Sequence, residues 1–292
     1  MIKSRLERFR NFLKEQKLDA FIIPSNDTHF GEYIPNRFKI REWLSGFTGS
    51  AGTLVVTADS AALWTDSRYF LQARDQLSGS GIELVKLRVE GEPTLSEWLK
   101  TQFSNLSTTI GIDEALFSWI DYSDLSSKLS PLVLKPIKDP FDLIWDNRES
   151  LIFNHIDEYS IAYTGQTTSE KLKNFRTLLN LRTDFVYFST ACDDNAWIFN
   201  IRGSDIQFNP LPLTYAVITN NEAILFCNLN SIDDSLKLSL EKEGVEILPY
   251  ADYTNIMQQF DPKLLRVGNL STISYKDYLL LTKNSSEFLS DK

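Results

Sequence analysis

Histidine and cysteine are scarce in this chain. Its 292 residues include two of each: His29, His155, Cys192 and Cys227. A hydrolytic metal centre needs several His, Asp, Glu or Cys ligands converging on one ion, and neither histidine belongs to a His-x-x-x-His pair. His29, in "NDTHFGEY" with Asp27 nearby, is read as a surface hydrogen-bonding residue, and His155 lies in a similar polar stretch. There is no Gly-x-Ser-x-Gly elbow, and neither cysteine has a histidine close by in sequence, so no nucleophile announces itself. Two cysteines in a chain of this size read as reduced thiols, not as a disulfide staple. Also missing is any run of about 18 apolar residues, so no membrane-spanning helix is predicted. The opening "MIKSRLERFRNFLKEQKL" lacks the apolar centre of a secretion signal and reads as a helix with Leu6, Phe9, Phe12 and Leu13 on one face. Basic residues number 30 against 39 acidic, a net charge of −9, which argues against a nucleic-acid partner. The one local basic cluster, Arg37, Lys39 and Arg41, alternates with apolar residues and is read as the solvated face of a strand or turn. A cytoplasmic protein is expected.

What is present is a core. Hydrophobic residues make up 42% of the chain, and its length suits two domains. After the first helix, "DAFIIPS", "TLVVT", "AALWT", "IELVKL" and "TTIGID" read as strands. "DSRYFLQARDQL", with Asp66 or Ser67 as N-cap candidate, "PTLSEWLKTQF", with Pro93 near its start, and "SWIDYSDLSSKL" read as helices. "SPLVLKPIKDPFDLIWDNRES", with three prolines, reads as an extended connector. The same order then repeats, with "EKLKNFRTLLNLR" as helix and "DFVYFST", "YAVIT", "AILFCN", "VEILPY" and "LLRVGN" as strands. The halves align with Asp19 over Asp184, Trp43 over Trp197, Gly49 over Gly203, Ser50 over Ser204 and Val55 over Val217. The extra residues of the second half fall in "DIQFNPLP". Two α/β domains related by duplication are predicted, residues 1–150 including the connector and residues 151–292 including a polar C-terminal tail.

The glycine run "GFTGSAG" is the most conspicuous motif. A phosphate loop would need Lys-Ser/Thr and then a helix, whereas a β run follows directly. The glycines are therefore assigned to a strand-to-strand turn. In "WTDSRYF", Asp66 and Arg68 suit a helix-capping pair, with ligand binding by Arg68 as the alternative. The polar cluster in "FNIRGSDIQFNP" is the better binding candidate: Asn200, Arg202, Ser204, Asp205 and Asn209 form a loop placed between apolar strands. Arg202 is expected at its tip, free to hold a carboxylate or else paired with Asp205. Read alone, these residues describe a binding or structural module without a catalytic site.

Three longer stretches, "YIPNRFKIREWLSGFTGSAGTLVVTADSAALWTDSRYFLQA", "DLIWDNRES" and "DDNAWIFNIRGSDIQFNPLPLTYAVI", closely resemble the amino-terminal half of cytosolic-type Xaa-Pro aminopeptidases of the creatinase/prolidase-like metallopeptidase family. The resemblance implies two tandem creatinase N-terminal-like α/β domains, each a mixed sheet flanked by helices. It also implies a third, catalytic domain of pita-bread fold beyond Lys292. A dinuclear manganese centre, or one of another divalent metal, would be held there by two Asp, one His and two Glu, with no catalytic or metal-binding residue in the present chain. The implied partners are that catalytic domain, proline-containing peptides and, in the full-length protein, a second copy. The implied roles of these two domains are to shape the substrate cleft and to make subunit contacts. Asn200, Arg202, Asp205, Asn209 and Arg68 are the substrate-binding candidates. The alternative is a stand-alone peptide- or protein-binding module without peptidase activity.

Overall fold

The computed structural model describes residues 1–103, 107–179, 184–267 and 273–282. The chain divides into two compact units, Met1–Asp27 with Asn36–Ser150 and Thr28–Pro35 with Leu151–Lys292. The second unit therefore takes in a short stretch of the first half of the sequence as well as the second half.

The first unit runs α1 (Ile2–Gln16), β1 (Ala20–Ile23), α2 (Ile40–Ser45), β2 (Thr53–Thr57), β3 (Ala61–Thr65), α3 (Phe70–Leu77), β4 (Glu83–Lys86), α4 (Leu95–Gln102), β5 (Thr109–Asp113), α5 (Trp119–Leu129) and β6 (Val133–Ile137). The predicted apolar face of α1 is the buried one, Leu6, Phe9, Phe12 and Leu13. Phe9 stacks on Phe141 and meets Phe21 of β1 edge-on, both at 5.5 Å. Each such fully buried side chain stabilises the fold by about 1.5–3 kcal/mol. The strands form one sheet in the order β4-β3-β2-β1-β5-β6. Residues of β1 and β3 are buried throughout, which is why both read as unbroken apolar runs. A capping box of Thr94 and Glu97 starts α4. The connector differs from expectation, because Val133–Ile137 pairs parallel with β5. Pro136 is accommodated since β6 is an edge strand, where a residue without an N–H breaks no interior ladder.

The second unit runs β7 (Asp157–Glu158), α6 (Ile161–Thr164), α7 (Thr168–Leu179), β8 (Val186–Ser189), α8 (Cys192–Ile198), β9 (Ile201–Arg202), β10 (Tyr215–Thr219), β11 (Ala223–Cys227), α9 (Asp234–Lys242), β12 (Glu246–Pro249), α10 (Tyr253–Met257), β13 (Leu265–Val267) and α11 (Tyr275–Thr282). Its main sheet has the order β12-β11-β10-β8-β13. This reproduces β4-β3-β2-β1-β5 strand for strand, with the same antiparallel and parallel pairings. The duplication is thus a repeat of topology.

Two details of the alignment change. Thr57 pairs with Ala20, whereas its counterpart Thr219 pairs with Val186, so Ala20 lies over Val186 and not over Phe185. Matching Asp19 to Asp184 by letter was one residue out, and a slip of one moves every side chain to the other face. The apolar run Trp197, Ile198 and Phe199 before the polar loop, one of the strands expected to flank it, is instead the end of α8 (Cys192–Ile198), with Phe199 as its C-cap. A short apolar run does not separate a strand from a buried helical turn. The polar tail, residues 283–292, and the end of "LLRVGN" lie outside the described residues.

One buried acid in the first unit makes its stability depend on pH. Asp113, at the end of β5, is 2% exposed, and burial first, then the nearby charge of Asp139, push its carboxyl up to about 7. The N–H of Ala115 donates to it and opposes that rise. Because the folded value lies above the unfolded one, the stability present near pH 4 is lost as pH rises toward 7. Asp113→Asn keeps an acceptor for Ala115 and removes the charge. Denaturant unfolding should show the variant gaining on the wild type between pH 4 and pH 8, by on the order of 2–4 kcal/mol. A constant difference across that range would show that Asp113 ionises freely.

Candidate functional site

The loop that follows α8 is built from the backbone outward. Asn200, 7% exposed, has a positive φ of 53°, a conformation Asn tolerates better than most residues. Its Nδ2 donates to Gln166 O at 2.8 Å, and its Oδ1 accepts from Lys171 Nζ at 2.5 Å. Lys171 is only 2% exposed, and its ammonium also donates to Trp197 O at 2.6 Å while lying 4.4 Å over the Trp197 ring. Desolvation first, then the Arg202 charge, lower its pKa. Arg202 ends β9, which pairs with β7. Its Nη1 donates to Ala196 O and Ile201 O at 3.1 and 2.7 Å, and its guanidinium covers Tyr159 at 4.2 Å.

Arg202 and Asp205 do not form the expected alternative pair. Asp205 accepts from the backbone N–H groups of Asn154 and Leu213 at 2.5 and 2.8 Å. Burial raises its pKa, against the pull of those two bonds. Asn209 enters through its backbone, donating to Ile206 O and accepting from Leu211. Arg202 is half-buried and not at a projecting tip, its guanidinium bonded to the Ala196 carbonyl of α8 and lying over Tyr159. What projects is aromatic: Phe208, Tyr163 and Trp197 are 84%, 77% and 54% exposed. The arrangement offers guanidinium N–H groups beside open aromatic surface, which suits binding.

Arg68 belongs to the first unit. Its Nε and Nη2 bond the carboxylate of Asp66, whose Oδ1 also accepts from the Arg68 N–H to cap the turn before α3. The capping reading of this pair therefore describes its geometry, and the four loop residues gather in the second unit without it.

Sequence reasoning missed two residues. His29, expected at the surface, is buried: Nδ1 donates to Thr190 O at 2.7 Å, Nε2 lies 2.8 Å from the Tyr250 hydroxyl, and the ring stacks on Tyr215 at 4.4 Å. In the neutral ring Nε2 accepts from Tyr250. Arg41, expected on a solvated face, is also buried. Its Nε donates to Ser25 Oγ at 2.7 Å, its Nη1 to Phe47 O at 2.9 Å, and its Nη2 to Gly49 O. Desolvation brings it down to about 10. The glycine run is correspondingly a helix-to-strand passage and not a strand-to-strand turn. Gly46 ends α2 at φ 78°, and a Cβ on Gly49 would fall 2.3 Å from the Phe47 ring.

A signal for part of this lay in the first helix. "SRLERFRNFL" set over "EKLKNFRTLL" pairs Arg5 with Lys171 and Arg10 with Arg176. Arg5 Nη1 donates to Trp43 O and lies over the Trp43 ring at 5.0 Å, as Lys171 does with Trp197. Arg10 Nε donates to Thr57 O at 3.1 Å and Arg176 Nε to Thr219 O at 2.9 Å. Gly46 and Asn200, which correspond, share a positive φ.

The Creatinase/Prolidase N-terminal domain family matches residues 5–145, and a second family of that description matches residues 147–289. The chain belongs to the Creatinase/Prolidase N-terminal domain family. Its two creatinase/prolidase N-terminal domains stand in tandem, each with its own mixed sheet and helices. Xaa-Pro aminopeptidase 1 of Dictyostelium discoideum is 38% identical over 89% of this chain and 43% of its own length. Aminopeptidase P1 of Lotus japonicus is 34% identical over 94% of this chain and 41% of its own. The chain thus spans about two fifths of the length of these curated relatives. The solved X-prolyl aminopeptidase of Caenorhabditis elegans, described as a cytosolic enzyme with a di-nuclear active site, is 27% identical. It superposes with a TM-score of 0.90 over all of this chain and half of its own.

Lys171 anchors the candidate loop, so its removal should be felt. Lys171→Met leaves the Trp197 carbonyl and Asn200 Oδ1 without their ammonium donor. Denaturant unfolding of the variant should show a loss of about 1–3 kcal/mol. A loss below about 0.5 kcal/mol, the usual range of surface substitutions, would show that Lys171 does not hold the loop.

Proposed function

We propose that this chain is the two-domain N-terminal part of an Xaa-Pro aminopeptidase, an enzyme that removes an amino-terminal residue preceding proline. The observation that carries the reading is the superposition over the whole chain on a solved X-prolyl aminopeptidase, in line with curated relatives bearing that name. Among the described residues no three His, Cys, Asp or Glu side chains come together in a way that could hold a metal ion. The described residues therefore do not fit a dinuclear centre, and no catalytic step is assigned to them. In this proposal a dinuclear divalent-metal site, manganese or another ion, is supplied by a pita-bread domain of the same protein. The two domains described here wall the substrate cleft and contribute to subunit contacts, with proline-containing peptides as substrates and a second copy as partner. A cytoplasmic location is part of the proposal. Among the described residues no helix is long and apolar enough to cross a membrane.

Within that reading, Asn200, Arg202, Asp205 and Asn209 form the candidate peptide-facing loop. Arg202 spends Nη1 on the carbonyls of Ala196 in α8 and of Ile201, and its Nε and Nη2 remain as a pair of donors. Two parallel N–H groups match a carboxylate, whether a peptide terminus or an acid of the catalytic domain. Arg68, already committed to Asp66, is the weaker member of the set.

Two measurements bear on the proposal. The 292-residue chain, supplied with manganese, should release no residue from Arg-Pro-Pro, and turnover near about 1 per second would refute the assignment of chemistry elsewhere. In the complete aminopeptidase, Arg202→Ala should lower kcat/KM for Xaa-Pro peptides at least tenfold, about 1.4 kcal/mol of transition-state stabilisation. A value within twofold of wild type in a folded variant would remove Arg202 from the cleft wall.

A further inference from the structure

The repeat provides an internal control for a feature of the second unit. Arg10 and Arg176 occupy equivalent places, each donating through Nε to the last residue of an equivalent strand, Thr57 or Thr219. That bond is common to both units, whereas the residues around it differ.

A cavity of about 240 Å³ opens beside Arg176, lined by Lys173, Arg176, Thr177, Phe185 and Asn220. No carboxylate is among the described lining residues, although the chain as a whole is acidic. Beyond its bond to Thr219, Arg176 has no hydrogen-bond partner among the described residues, and its Nη2 is shielded from solvent. Desolvation lowers the Arg176 pKa, so its charge is held there at some expense. Lys173 is exposed, and its ammonium has no partner among the described residues. Asn220 uses Oδ1 to accept from the Phe185 N–H at 3.0 Å, which leaves its amide N–H groups available. Thr177 Oγ1 donates to Lys173 O. At the matching positions of the first unit stand Glu7 for Lys173 and Ala58 for Asn220. There the same arginine-to-strand bond forms with an acid in place of the lysine and a methyl group in place of the amide. The donor set is therefore an addition to the fold and not a requirement of it.

We infer that Lys173, Arg176 and Asn220 form a binding site for a phosphoryl oxyanion. Two cations and an amide donor lining one cavity match a tetrahedral dianion, and the terminal nitrogens of Arg176 gain an acceptor. A cavity of this volume accepts a phosphate and part of whatever carries it. The site is independent of the peptidase reading and involves none of its residues.

Isothermal titration of the 292-residue chain with sodium phosphate, at ionic strength held constant with sodium chloride, tests it. Saturable one-site binding is expected, weakened at least tenfold by Lys173→Gln and again by Asn220→Asp. The second variant keeps the acceptor that Phe185 uses, so its folding can be checked by an unchanged melting temperature without phosphate. A parallel titration with phenyl phosphate separates the sources. Binding of both compounds indicates an open site that takes phosphoryl groups on larger molecules, and binding of inorganic phosphate alone indicates a site for the free ion. Absence of saturable binding up to millimolar phosphate, or equal binding by wild type and both variants, overturns the inference.

Discussion

A cation reaching from α1 in the first unit and from α7 in the second to the carbonyl of a tryptophan fixes where everything after that tryptophan goes. Trp43 and Trp197 lie in the last turns of short helices, where backbone carbonyls lack partners within the helix. Arg5 and Lys171 supply the missing donor and lie over the indole rings at the same time. A positive charge is also favoured at a helix C-terminus. The left-handed residues Gly46 and Asn200 follow at equivalent points, so in both units the chain leaves the helix in the same direction and enters the loop before the next strand. The candidate site of the second unit is one of these loops. Its geometry is inherited from a contact that serves the fold.

The two loops diverged from that shared start. In the first unit the chain stays tight, and the buried guanidinium of Arg41 collects the carbonyls of Phe47 and Gly49. Glycine is required at position 49 because the Phe47 ring occupies the space of a side chain. At the position matching Arg41 the second unit has Asn195, whose shorter side chain donates to Thr214 O. Its loop is longer and is organised by Asp205, which ties residues 154 and 213 together through their N–H groups. One position thus stays buried and polar in both units while its reach changes with the loop.

The architecture was largely legible in the sequence because buried strands write themselves as apolar runs. "TLVVT" and "AALWT" are β2 and β3 to the residue, and the repeat gave the second sheet from the first. The failures have physical causes. "AWIF" is too short to carry a period that separates helix from strand, so Arg202 was placed at a tip it does not occupy. Asp19 and Asp184 share a letter but not a register. His29 and Arg41 look polar and local in the sequence. Yet His29 finds its carbonyl partner 161 positions away, and no local pattern encodes a partner at that distance. The pairing of Arg5 with Lys171 was readable in principle, since the helix that carries it repeats as clearly as the strands do.

The assignment of Thr28–Pro35 to the second unit means that this polypeptide is not divisible at a single cut. A chain severed after Ser150 yields a C-terminal piece that lacks His29, so Tyr215 loses the ring stacked on it and Thr190 and Tyr250 lose their imidazole partner. The N-terminal piece keeps an eight-residue segment whose native surroundings are gone. Duplicated domains are often treated as beads that evolution can reshuffle, with the linker as the only covalent debt between them. Here the first repeat carries a component of the second, so a swap or circular rearrangement of the pair has to move that segment too. Such an arrangement favours inheritance of the two repeats together.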